Sequence, residues 1–178
     1  MAQLSLNFVD ELIGARQAQH GGGRGAPPIQ AGQRIGASIN RSVIVMLSAL
    51  LQTYVEDVFE VCAKQRFPAM AANQATYDRY WKQLNRWGNP SDNNIENLFM
   101  LIGVPDVFDG LSWQKTNKTI IKTKFNHLNQ IRNDIAHGAG QLKVNNASYS
   151  LTLRKAIVFR NFAEAFASRF ETHVLARL

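Results

Sequence analysis

The sequence predicts an all-α protein, an up-and-down bundle of five to six helices, and three observations predict it. Apolar residues recur at helical spacing along most of the 178 residues. Glycine, proline and capping residues punctuate those stretches where helices stop and start. No stretch alternates polar and apolar residues long enough to make a convincing strand. A chain of this length holds one ordinary core, so a single domain over 1–178 is expected. Within it, residues 1–28 read as an N-terminal helix and glycine-rich linker, and 33–178 as the core bundle.

The first helix runs from about Leu6 to Gln19, with Phe8, Leu12 and Ala15 at helical spacing, and breaks at His20-Gly-Gly-Gly-Arg-Gly-Ala-Pro-Pro28. Those glycines lack the Gly-Lys-Ser/Thr ending and the preceding strand of a phosphate loop, so they read as a connector. From about Gln33 to Arg66 runs the central helix, with Val43, Leu47, Leu50, Tyr54, Val58 and Val61 on one face and Pro68 as the stop. Asn73 to Trp87 makes a third helix, ended by Gly88-Asn-Pro90. Its Tyr77, Tyr80, Trp81, Leu84 and Trp87 suit a core or an interface, and aromatics on a basic helix also suit base stacking. Ser91 caps a short helix from Asn94 to Ile102, which Gly103-Val-Pro105 ends.

An irregular stretch through Trp113 leads to a fifth helix, from about Lys115 to His137, which Gly138 closes with a left-handed residue. Gln141 to Tyr149 is a loop with at most a short hairpin around Asn145-Asn146. Ser150 or Thr152 caps the last helix, whose Ile157, Phe159, Phe162, Phe166, Phe170 and Val174 supply much of the aromatic core.

The longest apolar run, Val43 to Leu51, is interrupted by Ser48 and soon followed by Glu56 and Asp57, short of the ~20 residues of a membrane span. The N-terminus lacks the basic start and apolar stretch of a secretory signal, so a cytoplasmic protein that does not engage a membrane is expected. The single cysteine, Cys62, sits among apolar helix positions and behaves as a small hydrophobe. His127 and His173 have no motif partner and His20 lies in the linker, so neither a metal site nor a cofactor is expected. The net charge of +7 and pI near 9.9 favour a polyanionic partner, although a solvated cationic face gives the same numbers.

The fifth helix carries the chemistry. At about 100° per residue, Ile120, Ile121, Leu128, Ile131 and Ile135 share one face, while Lys115, Lys122, Asn126, Asn133 and His137 fall within roughly 40° of one another opposite. Arg132 stands about 100° from Asn133, so its side chain must bend over the edge to work beside His137.

These residue types suit metal-independent RNA cleavage, in which a 2′-hydroxyl attacks the adjacent phosphorus. Arginine supplies a forked, permanent charge for the non-bridging oxygens. Histidine moves protons near neutral pH, and a helix C-terminus favours the protonated ring that would serve the leaving 5′-oxygen. Asn133 could orient that ring or the phosphate. Spacing alone equally allows a structural reading, with Arg132 tied to a carboxylate and His137 capping the helix.

Arg132-Asn-Asp-Ile-Ala-His137-Gly138 resembles the Arg-x4-His signature of HEPN domains, and the nearest subgroup is the RiboL-PSP type. The long core helix containing Ser42 to Asp57, the variable middle and the aromatic final helix are similar too. The resemblance implies an endoribonuclease: a homodimer or higher homo-oligomer whose motif helices face each other, with Arg132, His137 and Asn133 lining one RNA-cutting cleft. Lys115, Lys122 and Asn126 would be further RNA contacts. It also implies a toxin or antiviral-defence setting with a cognate antitoxin or defence-system protein. The alternative is a non-catalytic module binding RNA, a nucleotide or a partner protein. Gln52 stands where the family often has Glu, while Glu56 and Asp57 follow. Our helical wheel puts Asp57 toward the inner face, as the better candidate to contact Arg132, and turns Glu56 away.

Overall fold

The computed structural model of the chain describes residues 2–20, 28–30, 33–84 and 87–178, and most of the predicted connector at 20–28 lies outside them. Among the described residues the architecture is all-helical, with two short hairpins. Helix α1 spans Asn7–His20, and strands β1 (Ile29–Gln30) and β2 (Gln33–Arg34) pair antiparallel. Helix α2 spans Ala37–Arg66, α3 Pro68–Ala71, α4 Gln74–Leu84, α5 Asp92–Met100 and α6 Lys118–Ala136. Strands β3 (Lys143–Val144) and β4 (Ala147–Ser148) precede α7, Leu153–Leu175.

Helix α2 begins later than the apolar periodicity suggests. Gly36 adopts φ 78°, a left-handed conformation the helix cannot continue through, and Gln33 and Arg34 belong to a strand instead. Ser91 and Thr152 cap α5 and α7 by accepting from Asn94 N and Lys155 N. Helix α6 starts at Lys118 under an Asn117 cap, so the expectation that Lys115 lies on its polar stripe is corrected. Lys115 sits in the turn where Trp113 and Thr116 exchange backbone hydrogen bonds.

Helix α2 packs against α1, α6 and α7 and is the centre of the core. It is long and apolar enough to cross a membrane by length and composition, yet half of its most apolar window is buried inside the protein. The core is aromatic. Phe166 meets Phe125 edge-on at 4.9 Å and stacks on Phe170 at 4.5 Å, while Tyr54 donates to Ala167 O at 2.7 Å. Cys62 is buried among these groups, and desolvation pushes its thiol up to about 12, as befits an inert packing residue.

The irregular segment before α6 also enters the core through Val104, Val107, Phe108 and Leu111. On α6 the buried stripe is Ile121, Phe125, Leu128 and Ile131. Ile120, expected on that stripe, is 38% exposed, because Phe125 centres the apolar face on the other side of Ile121.

Candidate functional site

The motif occupies the last turn of α6, and its end is closed by backbone alone. Gly138, at φ 69°, donates from its N–H to Ile135 O, and Ala139 N donates to Asp134 O, the paired bonds of a Schellman motif. His137 is the C-cap residue, bonded through its own N–H to Asn133 O. Its ring is exposed and makes no hydrogen bond among the described residues. The carbonyls of Asn133, Asp134 and Ile135 already accept from backbone N–H groups, and the imidazole is uncommitted among the described residues.

Arg132 is half-buried and does bend over the helix edge. Its Nη1 donates to Asn133 Oδ1 at 3.2 Å, and no carboxylate forms an ion pair with it among the described residues. The guanidinium is thus oriented by a neutral amide that leaves its charge uncancelled. Asn133 Oδ1 also accepts from Asn89 Nδ2 at 3.2 Å, so one oxygen ties Arg132 to the segment before α5. That segment is itself braced: Asn94 Nδ2 donates to Asn89 O at 2.8 Å and Ser91 N to the same oxygen at 2.7 Å.

The acidic residues of α2 stand the other way round from the wheel. Asp57 does fall beside Met46, but that face looks outward: Met46 is 37% exposed and Asp57 is exposed as well. Glu56 is the one turned inward, accepting from Trp87 Nε1 at 2.9 Å and from Gln52 Nε2 at 3.1 Å. Neither carboxylate reaches Arg132. Partial burial raises the Asp57 carboxyl above its usual range, with Glu60 and Glu56 adding repulsion. The wheel failed because the face it predicted, centred near Val43, Leu50 and Tyr54, lies to one side of the buried one. The buried side is centred on Leu47, Leu51, Val55 and Cys62.

The third side of α6 holds the second hairpin. Asp134 accepts from Lys143 N at 2.7 Å and Gln130 Oε1 from Asn145 N at 2.8 Å, with His127 Nε2 3.4 Å from Asn145 Nδ2. Asn145 and Asn146 both have positive φ, 53° and 63°, the signature of a two-residue type I′ turn. Burial lowers the His127 pKa, and Lys124 lowers it further. Beyond the hairpin, Arg41 on α2 donates to Gly140 O at 3.2 Å and fixes the chain three residues after His137.

Of the expected RNA contacts, Lys122 is bound to Glu96 at 2.8 Å and faces the buried Asp92 at 3.7 Å. Hydrogen bonding to Glu96 raises its pKa, and Asp92 and Asp106 add to the effect. Lys122 therefore neutralises an acidic cluster on α5 and lies about 22 Å along the axis from His137. Asn126 is half-buried on the same side of α6 without a hydrogen bond among the described residues. Asn129, which sequence reasoning passed over, lies one turn before Asn133 with Oδ1 buried and no donor among the described residues. Asn89 was missed too, whereas Trp87, expected in a core or interface or stacked on bases, is half-buried and donates to Glu56. The only sequence signal at Asn89 was the Gly88-Asn-Pro90 break, which marks a turn but says nothing of what the turn touches.

The RiboL-PSP-HEPN family model matches residues 28–176. No curated protein and no solved structure matches the chain.

Proposed function

We propose that this chain, which belongs to the RiboL-PSP-HEPN family, is an endoribonuclease that cuts RNA without a metal, with Arg132 and His137 as its chemical pair. The observation that carries the reading is that, among the described residues, Arg132 has no carboxylate partner and the helix end that His137 would cap is closed by Gly138 and Ala139.

In the reaction, the 2′-hydroxyl of the substrate gives its proton to solvent water and its oxygen bonds to the adjacent phosphorus. The bond from phosphorus to the 5′-oxygen breaks, and that oxygen takes a proton from the His137 imidazolium. The products are a 2′,3′-cyclic phosphate and a 5′-hydroxyl. Arg132 supports the charge that accumulates on the non-bridging oxygens, a task for which an uncancelled forked cation is suited. Asn133 positions Arg132, and Asn89 positions Asn133.

Arg132 and His137 lie on different sides of the last turn of α6, and a second copy of α6 facing the first would complete the cleft. A self-complementary dimer is therefore part of the proposal. A toxin or antiviral-defence role, restrained by a cognate antitoxin or defence-system protein, fits an enzyme that consumes RNA.

The test is incubation of purified protein with RNA in excess chelator, alongside His137→Ala and Arg132→Ala. The expected result is cleavage by wild type alone, with cyclic phosphate ends, and a solution mass of at least a dimer. Equal cleavage by all three proteins, or none by wild type, refutes the reading. RNA binding without cleavage under every condition would instead support a non-catalytic binding module.

A further inference from the structure

Far from the motif in sequence, α1 carries a buried charge that nothing among the described residues balances. Arg16 is 4% exposed, and its Nε and Nη1 have no acceptor there. Its guanidinium lies directly on the backbone of Gly36. A Cβ at that position would overlap Nε, Cδ and Cζ, so only glycine admits this approach.

Gly36 is the N-cap of α2, the longest helix of the protein. It offers no side-chain cap, and the first turn of α2 has no acidic residue. The first intrahelical bond is Asn40 N to Gly36 O at 3.2 Å, so the N–H groups of Ala37, Ser38 and Ile39 precede it. The positive end of a 30-residue helix thus meets a permanent cation. Two positive features packed together call for an anion. Asn40, one turn into α2, is also 4% exposed: its Nδ2 donates to Leu151 O at 3.2 Å, while Oδ1 has no donor among the described residues.

We infer that Arg16, the first turn of α2 and Asn40 form a binding site for a protonated phosphate group, as in hydrogen phosphate or a phosphate monoester. Phosphate oxygens accept from the guanidinium and from the N–H groups of α2, the arrangement helix N-termini use for anions. The remaining P–OH donates to Asn40 Oδ1, so one ligand satisfies both orphaned groups. A phosphodiester has no O–H and leaves Asn40 unmet. The second pKa of a phosphate monoester is about 6, so the protonated form is present near neutral pH. Arg41, the next residue, donates to Gly140 O, which places this turn at the motif's end of α6. The inference does not rest on the Arg132 and His137 chemistry.

The test uses the full chain at constant ionic strength in chloride. Inorganic phosphate, adenosine 5′-monophosphate and dimethyl phosphate are titrated while the amide resonances of Ala37, Ser38 and Ile39 and the melting temperature are followed. Phosphate should move those amides saturably and raise the melting temperature, and His137→Ala should respond as wild type does. Arg16→Met should bind at least tenfold more weakly, Arg16→Lys less weakly than that, and dimethyl phosphate at least tenfold more weakly than phosphate. Tighter binding of the nucleotide than of phosphate marks a nucleotide end as the source; equal binding marks free phosphate. Without phosphate, Arg16→Met should melt at or above wild type, because an unbalanced buried charge has gone. Unmoved amides, a wild-type titration by Arg16→Met, or equal binding of dimethyl phosphate overturns the inference. So does marked destabilisation of Arg16→Met without phosphate, which would mean that Arg16 pairs directly with Asn40.

Discussion

Replacing Gly138 with alanine tests whether the end of the motif helix is set by backbone conformation. Gly138 has φ 69°, and a Cβ there would meet nothing within 4 Å, so the cost of the methyl group is conformational and not steric. A left-handed residue costs about 1–2 kcal/mol when it carries a Cβ. Alanine recovers roughly 0.4–1 kcal/mol by restricting the unfolded chain. The net loss is therefore about 1 kcal/mol, which lowers the melting temperature by about 2–4 °C in a protein of this size. Gly138→Asn should lose less, because asparagine visits this conformation readily. Gly140→Ala is the control: its Cβ also meets open space, its φ is not left-handed, and its carbonyl bond to Arg41 survives, so it should be neutral or slightly stabilised. Calorimetric melts of the four proteins decide the matter. Below the transition, cleavage by Gly138→Ala should fall about ten- to a hundredfold, because a displaced cap moves His137. If Gly138→Ala melts with wild type, or Gly140→Ala falls as far, the Schellman closure is not what holds the motif.

Three further outcomes are expected. Asn89→Ala removes a hydrogen bond of about 0.5–1.5 kcal/mol and frees Arg132 to wander, so single-turnover cleavage should drop with little change in RNA affinity. Equal losses of rate and affinity would show that Asn89 touches RNA itself. Lys122→Met leaves the buried Asp92 without a cation among the described residues and should destabilise by about 1–2 kcal/mol after allowance for solvent screening. It should leave the salt dependence of RNA binding unchanged, where Arg132→Ala should shallow the slope by about 0.7; the reverse pattern in a filter-binding titration would make Lys122 a phosphate contact. Desolvation lowers the His173 pKa, with Arg177 adding to it and the Val107 carbonyl and Asp109 opposing. The unfolded chain then takes up this proton first, near pH 6.5, so stability declines as pH falls through and below that value. Melts of His173→Gln between pH 7 and pH 5 should show a shallower decline, and an identical decline would place the effect elsewhere.

The sequence made the long helices plain because each repeats one chemical choice many times. Phe159, Phe162, Phe166, Phe170 and Val174 recur every three or four residues and are all buried in α7. The cap at Ser91 and the turn at Gly138 were legible because their local chemistry admits few alternatives, while the last helix left Ser150 and Thr152 as rivals and the structure uses Thr152. The core residues Val104, Val107, Phe108 and Leu111 have no period to read, being placed by turns that include Asp106 at φ 51°. At the site, Arg132, Asn133 and His137 stood out as residue types. Their environment did not, because the contacts from Asn89 to Asn133 and from Trp87 to Glu56 span 44 and 31 residues. Asp57 was misplaced for a different reason. A helical wheel gives relative angles, and only tertiary packing says which angle faces inward.

The second hairpin has a use as an instrument. Its strands are two residues long, yet the amides of Lys143 and Asn145 are held by Asp134 and Gln130 of α6, on exposed residues where exchange would otherwise be fast. Slow deuterium uptake at these two amides depends on the last turns of α6 staying wound. They therefore read out the integrity of the motif helix from outside the face that carries Asn133 and His137. Any partner that opens or clamps this helix should change their exchange rates, whether or not cleavage follows.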